Sequence, residues 1–119
     1  MSSYLQWGYF HAWMIAFTVT QLVEVPLYRW LAPTGWWRAF SLSLATHPAV
    51  WYVIPPLCYG AGLQYRGMLY CAEAFAWLTE ALLLRLYGVR WRRALIVAAL
   101  VNGASVLVGM GLRAVDWMP

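Results

Sequence analysis

Between Arg92 and Arg113 the chain reads RRALIVAALVNGASVLVGMGLR, and this stretch decides the fold. From Ala94 to Leu112 it carries no charged residue, and Asn102 and Ser105 are its only good hydrogen-bonding side chains. About 20 apolar residues are what a helix needs to cross the ~30 Å hydrocarbon core of a bilayer. A helix satisfies its backbone polar groups within itself, as lipid requires. Three more runs of this kind lie upstream, giving spans at about 7–30, 38–59, 66–87 and 92–113. Leu31–Trp37, Gly60–Tyr65 and Gly88–Trp91 connect them, and glycine or proline punctuates each. Connections this short make consecutive helices antiparallel neighbours. The expected fold is an all-α integral membrane protein, four transmembrane helices in an antiparallel bundle forming one domain over residues 1–119.

Composition agrees. Apolar residues make up 64% of the chain and charged residues 10%, against about 45–50% and about 25% in ordinary globular proteins. All the basic residues are arginines, and they cluster at the ends of the apolar runs. Nucleic-acid binding, which needs a basic patch or stripe, has no support. Arg29, Arg38, Arg85, Arg90, Arg92 and Arg93 flank the first and third connections, whereas Arg66 and Arg113 lie at the opposite end. This bias places the first and third connections in the cytoplasm and both termini outside it. The expected location is a bacterial cytoplasmic membrane. Trp7, Trp30, Trp36, Trp37, Trp91 and Trp117 fall near span ends, where an interfacial aromatic belt belongs. The N-terminal stretch Met1–Trp7 has no basic n-region, so the first run is expected to stay as a helix. Cys58 and Cys71 have no metal-type spacing and read as buried thiols. A disulfide between them would require that both face an oxidising side.

Against this background Glu24, His47, Glu73 and Glu80 stand out. An ionisable group at the centre of a span costs about 2.5–3.5 kcal/mol on insertion scales. Three of the four acidic residues nevertheless lie inside apolar runs. Glu24 precedes Arg29 by five residues, and Glu80 precedes Arg85 by five. At 1.5 Å per residue both lie about 7–8 Å inside those arginines. His47 and Asn102 follow Arg38 and Arg93 by nine residues each, and Glu73 follows Arg66 by seven. All three approach the midplane. Helical spacing puts Phe17, Gln21, Glu24 and Tyr28 on one face, and Ser43 with His47 on another. Glu73, Trp77, Glu80 and Leu84 share a third, and Ala98, Asn102, Ser105 and Gly109 a fourth. Crossed pairing of Glu24 and Glu80 with Arg85 and Arg29 is one arrangement this allows.

Proline adds to the polar inventory. Pro48 removes a backbone donor and frees the carbonyl of Leu44, and Pro55-Pro56 loosens the outer end of the second span. Trp36-Trp37-Arg38-Ala39-Phe40 also resembles Trp91-Arg92-Arg93-Ala94-Leu95. This short likeness suggests two repeated helical hairpins related about the membrane normal.

The expected function is cation or proton handling, or small-solute transport, at a site formed by Glu24, His47, Glu73 and Glu80. Gln21, Tyr28, Asn102 and Ser105 would support it. The same four site residues are the candidate ligands for a divalent metal ion, and haem or chlorophyll on a single histidine is a weaker candidate. The chain would act as a homo-oligomer or beside other membrane subunits. The alternative is a non-catalytic structural or assembly subunit, with the polar groups as interhelical glue. No HExxH or glycine-rich phosphate loop is present, and no Ser–His or Cys–His pair occurs at catalytic spacing, so an enzyme has the least support.

Overall fold

The computed structural model describes the backbone of residues 3–119 and the side chains of residues 6–119. Met1 and Ser2, the start of the stretch that lacks a basic n-region, lie outside the described residues. The helices are α1 (Ser3–Leu31), α2 (Trp36–Tyr52), α3 (Ile54–Gly60), α4 (Tyr65–Leu86) and α5 (Trp91–Ala114), and no strand occurs among the described residues. Three of them, α1, α4 and α5, are long and apolar enough to cross a membrane.

The second expected span, 38–59, is not one helix but two. Pro55 and Pro56 have no N–H, so the carbonyls of Trp51 and Tyr52 lose their donors one turn on. The chain breaks at Val53 (φ −108°, ψ −51°) and restarts as α3. The hydroxyl of Tyr9 on α1 donates to the freed carbonyl of Trp51. A carbonyl that Pro55 leaves without its helical donor is thereby satisfied from another helix. Pro48 and Pro26, by contrast, stay inside α2 and α1.

The helices form a ring. α1 packs on α2 and α5, and α4 packs on α2 and α5, while α1 and α4 sit diagonally across the bundle. Tight turns close the helix ends. Gly88 (φ +100°) lets Val89 N–H reach back to the Leu84 carbonyl at 2.9 Å, and Gly62 (φ +88°) lets Leu63 N–H reach that of Cys58 at 3.0 Å. These six-to-one bonds satisfy terminal carbonyls, and glycine adopts the left-handed conformation they need without a Cβ penalty. Asp116 (φ +56°) ends α5 in the same way, with Trp117 N–H on the Leu112 carbonyl at 2.9 Å.

Two further sets of bonds tie neighbouring helices at matching positions. Arg38 Nη1 donates to the Tyr87 carbonyl at the end of α4 (3.4 Å). Arg93 donates through Nε (3.3 Å) and Nη2 (2.9 Å) to the Leu31 carbonyl at the end of α1. Gln21 Nε2 donates to the Phe40 carbonyl (3.4 Å), and Trp77 Nε1 to the Leu95 carbonyl (2.8 Å). Gln21 and Trp77 each lie three residues before their helix's buried glutamate, and Phe40 and Leu95 each lie two after an arginine.

The solid core occupies one half of the bundle. Tyr28, Ala39, Leu42, Leu84, Ala94 and Val101 anchor it, on the side of the arginine-rich turns. Small alanines let the helices approach closely there. The six tryptophans expected in the interfacial belt are all exposed. Arg29 lies over the Trp36 ring, 5.5 Å from its centroid, and Arg38 over Tyr87 at 4.9 Å.

Candidate functional site

Where the solid core ends, two carboxyls lie buried. Glu24 on α1 and Glu80 on α4 are 3% and 1% exposed. They come from diagonal helices, and both reach the same cavity, where neighbouring hydroxyls on one face of α2 bind one each. Ser43 Oγ on α2 donates to Glu24 Oε1 at 2.6 Å. Thr46 Oγ1, one turn along the same face, donates to Glu80 Oε2 at 2.9 Å. The Tyr28 hydroxyl donates to Glu80 Oε1 at 2.7 Å. Asn102 Nδ2 on α5 reaches the Tyr28 hydroxyl at 3.4 Å and its own helix's Ala98 carbonyl at 2.9 Å. Ser105, on the same helix as Asn102, lines the same cavity. All four long helices therefore contribute to one buried polar centre.

No arginine reaches it. Among the described residues no salt bridge forms, and the crossed pairing of Glu24 and Glu80 with Arg85 and Arg29 is absent. Arg29 lies instead over the Trp36 ring, Arg38 over Tyr87 and on its carbonyl, and Arg93 on the Leu31 carbonyl, all at the bundle surface. A guanidinium at the surface stays solvated, whereas drawing it down to the carboxyls would desolvate it.

Beyond the pair, away from the arginine-rich turns, the ring opens into a cavity of about 480 Å³. Its floor includes Glu24, Glu80, Ser43, Thr46 and Asn102. Its wall includes His47, Trp51, Glu73 and Ser105, and Tyr9, Tyr59, Tyr65 and Arg113 stand toward its far end. Small residues make the room. Ala12 and Ala16 on α1, Ala72 and Ala76 on α4, and Gly109 on α5 all line it. The first two sit two turns and one turn before Thr20 on the face that leads to Glu24, because residues four apart share a helix face. At the far end Met118 is buried and Arg113 Nε donates to the Pro119 carbonyl at 2.9 Å.

The other sequence candidates divide. His47 and Glu73 line the same cavity but hydrogen-bond to neither member of the pair. His47 Nε2 meets Thr20 Oγ1 at 3.3 Å, and its ring stacks on Trp51 (25° between planes, centroids 6.2 Å). His47 Nδ1 is buried with no partner. Glu73 makes no hydrogen bond among the described residues. Gln21 binds the Phe40 backbone and is outside the cavity lining. A metal ion would need three or more ligands at bonding distance, and among the described residues no three of His, Cys, Asp and Glu gather in that way. Thr46 went unread in the sequence. Its three-residue offset from Ser43 places both on one helix face, and that offset was the available signal. Cys58 and Cys71 are both free thiols, the first buried and the second exposed.

Set against known proteins, the chain matches no family model, none of the curated proteins and none of the solved structures.

Proposed function

We propose that this chain is a four-span membrane protein that handles protons or small cations at the Glu24–Glu80 pair, in the service of solute transport. The observation that carries the reading is the shared burial of two carboxyls. Glu24 and Glu80 are both buried inside an apolar bundle, with no arginine beside them, at the floor of one cavity packed shut on one side. Two acceptor groups that share a low-dielectric site are stable when a proton or a cation lies between them. Buried carboxyls of this kind mark ion pathways and proton relays in membrane proteins.

Dimensions support four spans. α2 and α3, with 17 and 7 residues, extend together about as far as α5 with 24, or about 36 Å at 1.5 Å per residue. The longest dimension of the molecule is 44 Å, the thickness of a bilayer with its headgroups. In this reading the arginine-rich turns are cytoplasmic, and the termini and the cavity face the other side of a bacterial cytoplasmic membrane. Two hairpins, α1–α2 and α4–α5, would be related by a two-fold axis along the membrane normal. The matched bonds Arg38–Tyr87 with Arg93–Leu31, and Gln21–Phe40 with Trp77–Leu95, support that relation. The glutamate pair would straddle the axis. Self-association, or assembly with other membrane subunits, belongs to the same reading.

The alternative is a non-catalytic structural or assembly subunit. One observation favours it: the hydroxyls and amide around the pair link helices as interhelical glue does. Liposomes with the purified protein and an imposed pH gradient separate the two. Ion current that disappears in Glu24→Gln and Glu80→Gln, with both variants folded, supports a working site. Absence of current from the native chain, with loss of fold in both variants, supports glue.

A further inference from the structure

The cavity is larger than a proton or a bare ion requires. At about 480 Å³ it falls within the range of sites that take small organic molecules. Its chemistry is one-sided. Three carboxyls, from Glu24, Glu73 and Glu80, line it against a single guanidinium, that of Arg113 at the far end, which is held by the Pro119 carbonyl. Between floor and far end the wall is aromatic and apolar. Trp51 is fixed between His47 and Tyr9, whose ring centroids lie 6.2 and 5.3 Å from its own, and the Tyr9 hydroxyl also donates to its carbonyl. Glu73, on α4, lines the same cavity seven residues, or about 10 Å of helix rise, outward of Glu80. Ser43, Thr46 and Tyr28 engage the floor glutamates. Glu73 has no hydrogen-bond partner among the described residues, and it faces the same space.

We propose that this cavity binds a small hydrophobic organic cation, an alkyl- or aryl-ammonium, with its cationic head beside Glu73 and its apolar body against the Tyr9–Trp51 wall. A carboxylate with no other partner pairs with an ammonium group, while the ring faces take the apolar body of the ligand by burying its surface. The alanines at 12, 16, 72 and 76 leave the space for the apolar body. The inference rests on the reading of Glu24–Glu80 as a cation- or proton-binding pair. The organic cation would occupy the wall above that pair and compete with its charge.

The test is equilibrium binding to the purified full chain in nanodiscs. The probes are benzyltrimethylammonium and neopentylbenzene, its neutral isostere. The native protein should bind the cation at least about tenfold more tightly than the isostere, a difference of about 1.4 kcal/mol. Glu73→Gln should weaken cation binding about tenfold and leave the isostere unaffected. Ala76→Phe should abolish binding by filling the cavity. Ala12→Leu serves the same end should Ala76→Phe fail to fold. In parallel, the pH-dependent carboxyl infrared band of the native protein, absent in Glu80→Gln, reports on the pair alone. Equal binding of both probes, or no binding while that band persists, overturns the organic-cation site and leaves the pair standing. Absence of any pH-dependent carboxyl band overturns the reading beneath it.

Discussion

Glu80→Gln is the substitution whose outcome the geometry fixes most closely. Native Glu80 accepts two hydrogen bonds, at Oε1 from Tyr28 and at Oε2 from Thr46. Glutamine keeps one acceptor and places an amide donor at the other position. With its oxygen toward Tyr28, the Tyr28–Asn102 link is preserved. Its NH₂ then faces Thr46, whose hydroxyl can accept that bond and send its own proton to the Leu42 carbonyl at 3.4 Å or that of Ser43 at 3.5 Å. The number of satisfied groups is unchanged. The exchange of two interhelical bonds, each worth about 0.6 kcal/mol on average in membrane bundles, alters stability by no more than about 1 kcal/mol. Loss of the like-charged partner for Glu24 acts in the stabilising direction. The midpoint of thermal unfolding in detergent should therefore stay within about 4 °C of native, while ion current in liposomes is lost. A loss of about 3 kcal/mol or more would refute this reasoning. A penalty of that size is what removal of one partner from a structural buried ion pair costs, and it would mean that the Glu80 charge holds the fold together.

Tyr9→Phe should cost about 1–2 kcal/mol, because it strands the Trp51 carbonyl that Pro55 leaves without a donor. In a Pro55→Ala background the restored N–H can serve that carbonyl, and a double-mutant cycle in thermal unfolding should show most of the cost gone. Arg93→Ala should destabilise more than Arg38→Ala, by about 0.5 kcal/mol, since Arg93 caps α1 through two nitrogens and Arg38 caps α4 through one; equal effects would contradict the capping account. With the native thiols replaced, a cysteine at Ala61 should react with an impermeant maleimide in intact cells, and one at Gly35 only after permeabilisation. The reverse pattern would invert the topology.

Much of this was legible before any coordinates. The apolar runs and short turns gave the helices, because in lipid few backbone solutions exist. Matched capping bonds from Arg38 and Arg93 lie in the two segments whose likeness the sequence shows, though the sequence alone did not name those bonds. The break at Val53 was less legible, since Pro48, Pro55 and Pro56 carry the same local signal and only the last two end the helix. Which glutamates would meet depended on the ring order, which places α1 and α4 diagonally, and no spacing within one helix encodes that. Gln21 shares a helix face with Glu24 but turns its amide to the Phe40 backbone of the adjacent helix, which spacing within α1 does not encode either. The cavity itself was hidden in alanines, which read equally well as close packing or as space.

The central claim is that Glu24 and Glu80 act as one ion-binding unit. The most direct measurement is ion current under an imposed pH gradient in liposomes that contain the native protein, Glu24→Gln, Glu80→Gln or the double variant. The account predicts current from the native chain alone, with each single variant as inactive as the double and all four equally folded. Current that persists in either single variant would contradict it.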